Sequence, residues 1–246
     1  MTFSIAAWCP RTGQLGVGAL TARPAVGKLV AHVQTGSGAV ATQATPNPFL
    51  AYDGLPLLGE GHSPQDVLTE LLARDPGREV RQVGMVDRHG RSHAFTGSRT
   101  KDWTGHHTGP GYAVQGNRLV GPQTLAEIVR VFEGNAELDL AERLVLAIGA
   151  GEKAGGDRHG ARSATVTVTS DQPYPLWDVR VDDSEHPAQE LRRLHGVFRE
   201  EVLPTIQGMP TRDNPMGEAA QQALDAQARN KTASNVVNQY SSTRPV

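Results

Sequence analysis

The chain has 246 residues, a formal net charge of −2, 27 glycines, 16 prolines and one cysteine, Cys9. A chain of this length builds a core without covalent staples, and one cysteine rules out an intramolecular disulfide framework. Lys and Arg are scattered with no basic block, which argues against nucleic acid as a partner. No apolar run reaches membrane-spanning length and no secretory leader pattern opens the chain, so the expectation is a cytoplasmic protein with no membrane partner.

In chain order, Phe3–Trp8 and Gly16–Thr21 are apolar runs on either side of Pro10-Arg11-Thr12-Gly13 and read as a β-hairpin. Leu29–Gln34 and Gly38–Thr42 repeat the pattern around Gly36-Ser37. One helix is expected over Phe49–Gly59. Another follows Ser63, a good N-cap, with Pro64 in the first helical position and Val67, Leu68, Leu71 and Leu72 at helical spacing until Asp75-Pro76-Gly77. Gln82–Val86 and Ser92–Thr96 make a further hairpin, Trp103–Gly111 reads as a shaped loop, and Tyr112–Gln115 as a short strand.

Helices are then expected over Pro122–Gly134 and Leu140–Gly151, strands over Ala164–Thr169 and Trp177–Val181, and a helix from Pro187 to Leu203. Strands and helices come in groups rather than in βαβ alternation, which points to layered α+β packing. Beyond Pro204 the composition shifts to Gln, Asn, Ala, Ser and Thr. The division is therefore a domain over residues 1–205 and a polar extension over 206–246, with a polar helix at Met216–Asn230 and the last dozen residues as a flexible tail or docking arm.

The residue with the most chemistry is Thr2. Removal of Met1 would leave its hydroxyl and a free α-amine on one Cα. The amine, with a reference pKa near roughly 8, can accept the hydroxyl proton, so one residue supplies nucleophile and base. The plain alternative is a Met-Thr start that is trimmed as housekeeping. Gln115-Gly116-Asn117 sets two amides around a flexible residue at a strand end, which suits an oxyanion hole or a turn in which Asn117 bonds nearby backbone. Thr42-Gln43 is a similar polar strand end. In the loop Gly155–Ala164, Asp157 could hold an amine, and Arg158 and Arg162 could grip a carboxylate or pair internally.

Other motifs are set aside. Gly36-Ser37-Gly38-Ala39-Val40-Ala41 fits a loose dinucleotide pattern, but Thr42-Gln43 continue as strand and Pro46 and Pro48 block the helix that would hold a pyrophosphate. His106-His107 are adjacent residues, which rarely converge on one ion, and no metal or other cofactor is expected.

Thr2-Phe3-Ser4-Ile5, Gly38 to Gln43, Gly109 to Asn117, Gly155-Gly156-Asp157-Arg158, and Val181-Asp182-Asp183 followed by Glu190-Leu191 together resemble the domain-of-unknown-function family 1028, grouped with the N-terminal-nucleophile (Ntn) hydrolases. The resemblance spans about residues 2 to 195. It implies a four-layer αββα sandwich of two antiparallel sheets covered by helices, Thr2 as nucleophile, and an amide substrate split through an acyl-enzyme. The family usually has Gln in the stretch that here reads Ala161-Arg162-Ser163, where the charge of Arg162 would favour an anionic substrate, and Lys28 stands where the family is usually small or apolar.

The resulting expectation is an amide-bond hydrolase for a small polar substrate, with an anionic one as a candidate. Thr2 attacks, Asn117 and backbone at Gly116 stabilise the oxyanion, and Thr42, Gln43, Gln115, Asp157, Arg158 and Arg162 contact substrate. The alternatives are a non-catalytic ligand-binding or assembly protein on the same fold and a nicotinamide oxidoreductase, which would bind NAD(P). The broad faces of such a sandwich make a homodimer a candidate assembly.

Overall fold

Strict alternation along the first strand sets the architecture. Phe3 and Ile5 face one way and Thr2, Ser4 and Ala6 the other, yet all are buried, so the strand must be covered on both sides. The computed structural model describes residues 2–156 and 160–241, with side chains described as far as Arg229.

The elements are β1 (Thr2–Trp8), β2 (Leu15–Thr21), α1 (Val26–Leu29), β3 (Ala31–Gln34), β4 (Gly38–Ala44), α2 (Phe49–Tyr52), α3 (Gly54–Gly59), α4 (Pro64–Arg74), β5 (Arg81–Asp87), β6 (Ser92–Thr96), β7 (Trp103–Gly109) and β8 (Tyr112–Leu119). They continue with α5 (Gln123–Gly134), α6 (Leu140–Lys153), β9 (Ser163–Thr169), β10 (Trp177–Val181), α7 (Pro187–Val197), a π-helical turn at Phe198–Val202, α8 (Leu203–Gln207) and α9 (Glu218–Ser241).

Two antiparallel sheets form, one of six strands in the order β10-β9-β2-β1-β8-β7 and one of four in the order β3-β4-β5-β6. Helices α5 and α6 cover the outer face of the larger sheet, and α7 packs against α6, β9 and β10. Gly151 permits one close approach, because a Cβ there would meet Ile128 at 2.7 Å and the Phe3 ring at 3.0 Å. On the smaller sheet, Val40, Val83 and Met85 pack under Leu50, Leu55, Leu58, Val67, Leu68 and Leu72 of α2–α4. Between the sheets lie Ala6, Val17, Ala19, Ala39, Ala41 and Val86. Their small volumes let the two backbones close on one another. The result is the four-layer αββα sandwich.

Helix α4 starts as its sequence requires: Ser63 Oγ accepts the Asp66 N–H at 3.1 Å and Pro64 follows. Several expectations need correction. The helix over Phe49–Gly59 is broken at Asp53, since Pro56 has no N–H to offer the Tyr52 carbonyl. Leu29 closes the short helix α1 instead of opening a strand. The segment read as a loop is strand β7, zipped onto β8 with a register shift between Trp103 and Gly105, and β8 itself runs past Asn117 to Leu119. The Pro187–Leu203 helix is α-helical to Val197 and π-helical over Phe198–Val202, and α9 continues to Ser241 through what was read as a flexible tail or docking arm.

The chain forms two compact units, one ending at Phe198 and the other beginning at Arg199. Among the described residues no helix is long and apolar enough to cross a membrane.

Candidate active site

The strand registers carry one gradient through the inter-sheet layer. Moving toward the start of β1, the inward positions run Ala6, Ser4, Thr2 on β1 and Ala113, Gln115, Asn117 on β8. They run Ala39, Ala41, Gln43 on β4 and Val86, Gly84, Gln82 on β5. One end is small and apolar and the other is a cluster of amides and hydroxyls. Gln43, Gln82, Gln115 and Asn117 are all 3% exposed or less.

Buried amides need partners, and these find one another. Ser4 Oγ donates to Gln43 Oε1 at 2.7 Å and accepts from Gln115 Nε2 at 2.6 Å. Gln82 Oε1 accepts from both Gln43 Nε2 at 2.8 Å and Asn117 Nδ2 at 2.9 Å. Gln82 Nε2 lies 2.8 Å from the Gly116 carbonyl. Gln82 thus ties the two sheets together at this end. Gln115 packs so closely on Gly84 that no Cβ fits there. Gln115 Oε1 is buried with no partner among the described residues.

Thr2 sits at the edge of this cluster, at the start of β1, and is 8% exposed. Its Oγ1 is 3.1 Å from Thr21 Oγ1. Its carbonyl accepts from Gln43 Nε2 at 3.2 Å and, at a long 3.5 Å, from Asn117 Nδ2. Thr21 on β2 and Asn117 on β8 are its cross-strand neighbours.

The loops around this end are strained and tied down. Ala25, Ala44, Asp102 and Arg118 have φ of 60°, 68°, 59° and 55°, a left-handed region disfavoured for residues with a Cβ. Ala44 and Arg118 directly follow Gln43 and Asn117, and such strain tends to collect at functional sites. The loop after Ala44 is held by Asp75, which takes Asn47 Nδ2 and Arg81 Nε, each at 2.9 Å, and the Gly77 N–H at 2.8 Å. The hydrogen bond from Arg81, helped by Asn47 and Gly77, holds the Asp75 carboxyl down at about 2. The loop after Thr21 is held by Ser163 Oγ, which donates to the Arg23 carbonyl at 2.5 Å and accepts the Val26 N–H at 3.0 Å.

Of the residues singled out from sequence, Thr2, Gln43, Gln115 and Asn117 come together. Gly116 lies within the sheet, paired with Phe3 and Gly105, rather than in an exposed turn. Thr42 faces away from Thr2 and shares a hydrogen bond with the Asn47 carbonyl at 3.2 Å. Arg162 holds Asp183 through two bonds of 2.9 and 2.7 Å, both side chains about half exposed. Asp157 and Arg158 fall outside the described residues. Sequence reasoning missed Ser4, Thr21 and Gln82. Their signal was a polar residue at alternate positions of strands that are otherwise apolar.

Among the described residues no group of three or more His, Cys, Asp and Glu is placed to hold a metal ion. A groove of about 970 Å³ runs between α5, α6 and α7, lined by residues including Val131, Val145, Leu146 and Ala150 with Glu152 and Arg192. It lies on the helical side of the six-stranded sheet, and Thr2 does not line it.

Residues 2–191 match the model of a family of unknown function (DUF1028). The crystal structure of a Silicibacter pomeroyi protein of that family is similar at a TM-score of 0.80 and 29% identity, over 88% of this chain and 98% of that one. Anbu, an ancestral beta-subunit from Yersinia bercovieri, is similar at a TM-score of 0.38 and 11% identity, over 80% of this chain and 97% of that one. No curated protein matches the chain. The chain belongs to the DUF1028 family.

Proposed function

We propose that this DUF1028 member is an Ntn-type hydrolase that cleaves an amide bond of a small polar substrate through Thr2, once Met1 is removed. One observation carries the reading: the polar part of the inter-sheet layer converges on Thr2, the first residue of a central strand. In the mechanism, the α-amine takes the proton of Thr2 Oγ1, which attacks the substrate carbonyl. Asn117 Nδ2 keeps its 2.9 Å bond to Gln82 and gives up its 3.5 Å bond to the Thr2 carbonyl in favour of the developing oxyanion. The amine returns the proton to the leaving nitrogen, and water then releases the acyl group from Oγ1. Removal of one such oxyanion donor typically costs about 100-fold or more in rate. Gln43 and Gln115 act as the frame, and Asp157 and Arg158 would orient substrate.

The test is the intact mass of the untagged protein before and after exposure to a β-lactone that acylates hydroxyl nucleophiles. The expected result is a chain lacking Met1 that gains one adduct on Thr2, with none on a Thr2→Ala variant of unchanged fold. Retention of Met1, or equal labelling of the variant, would overturn the mechanism. The near-burial of Thr2 and the separate groove favour a second reading, a non-catalytic binding protein, and that result would select it.

A further inference from the structure

We infer that this site takes substrates bearing a carboxylate close to the scissile amide, held by Arg118 and Arg23. The inference rests on the assignment of Thr2 as nucleophile, and it replaces Arg162 as the source of anion selection. Thr2 is paired with Asn117 on one side and Thr21 on the other. The next residues outward are Arg118 on β8, and Ala22 then Arg23 after β2. The two arginines thus lie on or just after the strands that flank β1, Arg118 directly after Asn117 and Arg23 in the bend after β2, where Ser163 of β9 holds its carbonyl at 2.5 Å.

Their charges are unspent. Neither guanidinium has a hydrogen bond or ion pair among the described residues. Among the described residues, three acidic groups near this end are paired with other arginines: Asp75 with Arg81, Asp183 with Arg162 and Asp182 with Arg180. Lys101, whose carbonyl accepts the Arg118 N–H at 3.2 Å, adds to the positive rim, and Asp102 is the opposing charge beside it.

Arg118 is also costly where it stands. It is partly buried, makes no ion pair among the described residues and has a φ of 55°, a backbone state suited to glycine. A planar guanidinium is suited to gripping a carboxylate through two parallel hydrogen bonds.

The test is calorimetric binding of glutarate, with glutaramide as the uncharged control, to the Thr2→Ala protein, so that no turnover is needed. Glutarate should bind and glutaramide should not. Adding Arg118→Gly or Arg23→Gln should weaken glutarate binding at least tenfold. Arg118→Gly should also leave the melting temperature unchanged or raise it, because the strain is relieved; Arg23→Gln changes an exposed loop residue and covers a failure of the first variant. Equal binding of the two ligands, or glutarate binding indifferent to both arginines, overturns the inference. Failure of the nucleophile assignment is read separately, from β-lactone labelling of Thr2 in the wild-type chain.

Discussion

The two ends of the inter-sheet layer are equally dry and chemically opposite. At one end, Ala6, Ala39, Ala41 and Val86 are fully buried; at the other, Gln82 and Gln115 are fully buried too, with Gln43 and Asn117 nearly so. Small apolar contacts are non-directional and tolerate sliding. Shared amides do not, because each bond fixes the orientation of the next. The apolar end therefore holds the sheets together, and the amide end sets their geometry where Thr2 lies. The network gains little net stability, since each exchanged hydrogen bond contributes only about 1 kcal/mol. An orphan such as Gln115 Oε1 costs more than that.

Removing the hub should break this contrast most sharply. Gln82→Met keeps the volume but strips partners from Gln43, Asn117 and the Gly116 carbonyl. It should lower stability by about 3–4 kcal/mol in urea unfolding and slow β-lactone labelling of Thr2 by about 100-fold. A loss below about 1 kcal/mol would mean that the amides do not act as a unit.

Gly84→Ala probes the boundary between the two halves, since its Cβ would displace the Gln115 amide. A loss of about 2 kcal/mol is expected, with slower Thr2 labelling; a variant as stable as the parent would show that the layer can slide.

The loop support is sharpened by pH. The Asp75 carboxyl is held at about 2 in the fold, against roughly 3.9 when unfolded. Its contribution, on the order of 1–2 kcal/mol after solvent screening, is fully present above the unfolded value and is lost as pH falls toward the folded one. Urea midpoints compared between pH 5 and pH 2.5 should fall less for Asp75→Asn than for the parent. The smallest effect is reserved for Arg162→Gln. It removes an exposed pair and should change stability by less than about 0.5 kcal/mol and leave Thr2 labelling alone.

Much of this was legible in the sequence, because strands β1, β2, β4 and β5 announce themselves by apolar alternation between Gly and Pro turns. Thr2, Gln43, Gln115 and Asn117 were found as polar groups at strand ends. Gln82 was not, because Arg81-Gln82-Val83-Gly84-Met85 reads as an edge-facing polar residue unless one knows that a second sheet covers it. Strand β7 was hidden for a different reason. Gly105, His106 and His107 have no strand alternation, and only pairing with β8 makes them one. Arg162 shows the limit of composition: its charge was visible, while the carboxylate that consumes it lies 21 residues away. Arg118 is the reverse, unremarked in the sequence until its backbone angle and its lack of a partner were seen together.

The position of β1 at the centre of the large sheet also sets a clock. Its pairing with β2 needs only the first 21 residues, but Thr2 and Asn117 are 115 residues apart. At ribosomal speeds of roughly 5–20 residues per second, the gap between those two events lasts on the order of 5–20 s. If Met1 is to be trimmed, the nascent chain offers its N-terminus in that interval, before β8 closes the flank of β1. Afterwards Thr2 is 8% exposed, so the residue that follows the methionine is open during synthesis and nearly buried in the finished protein.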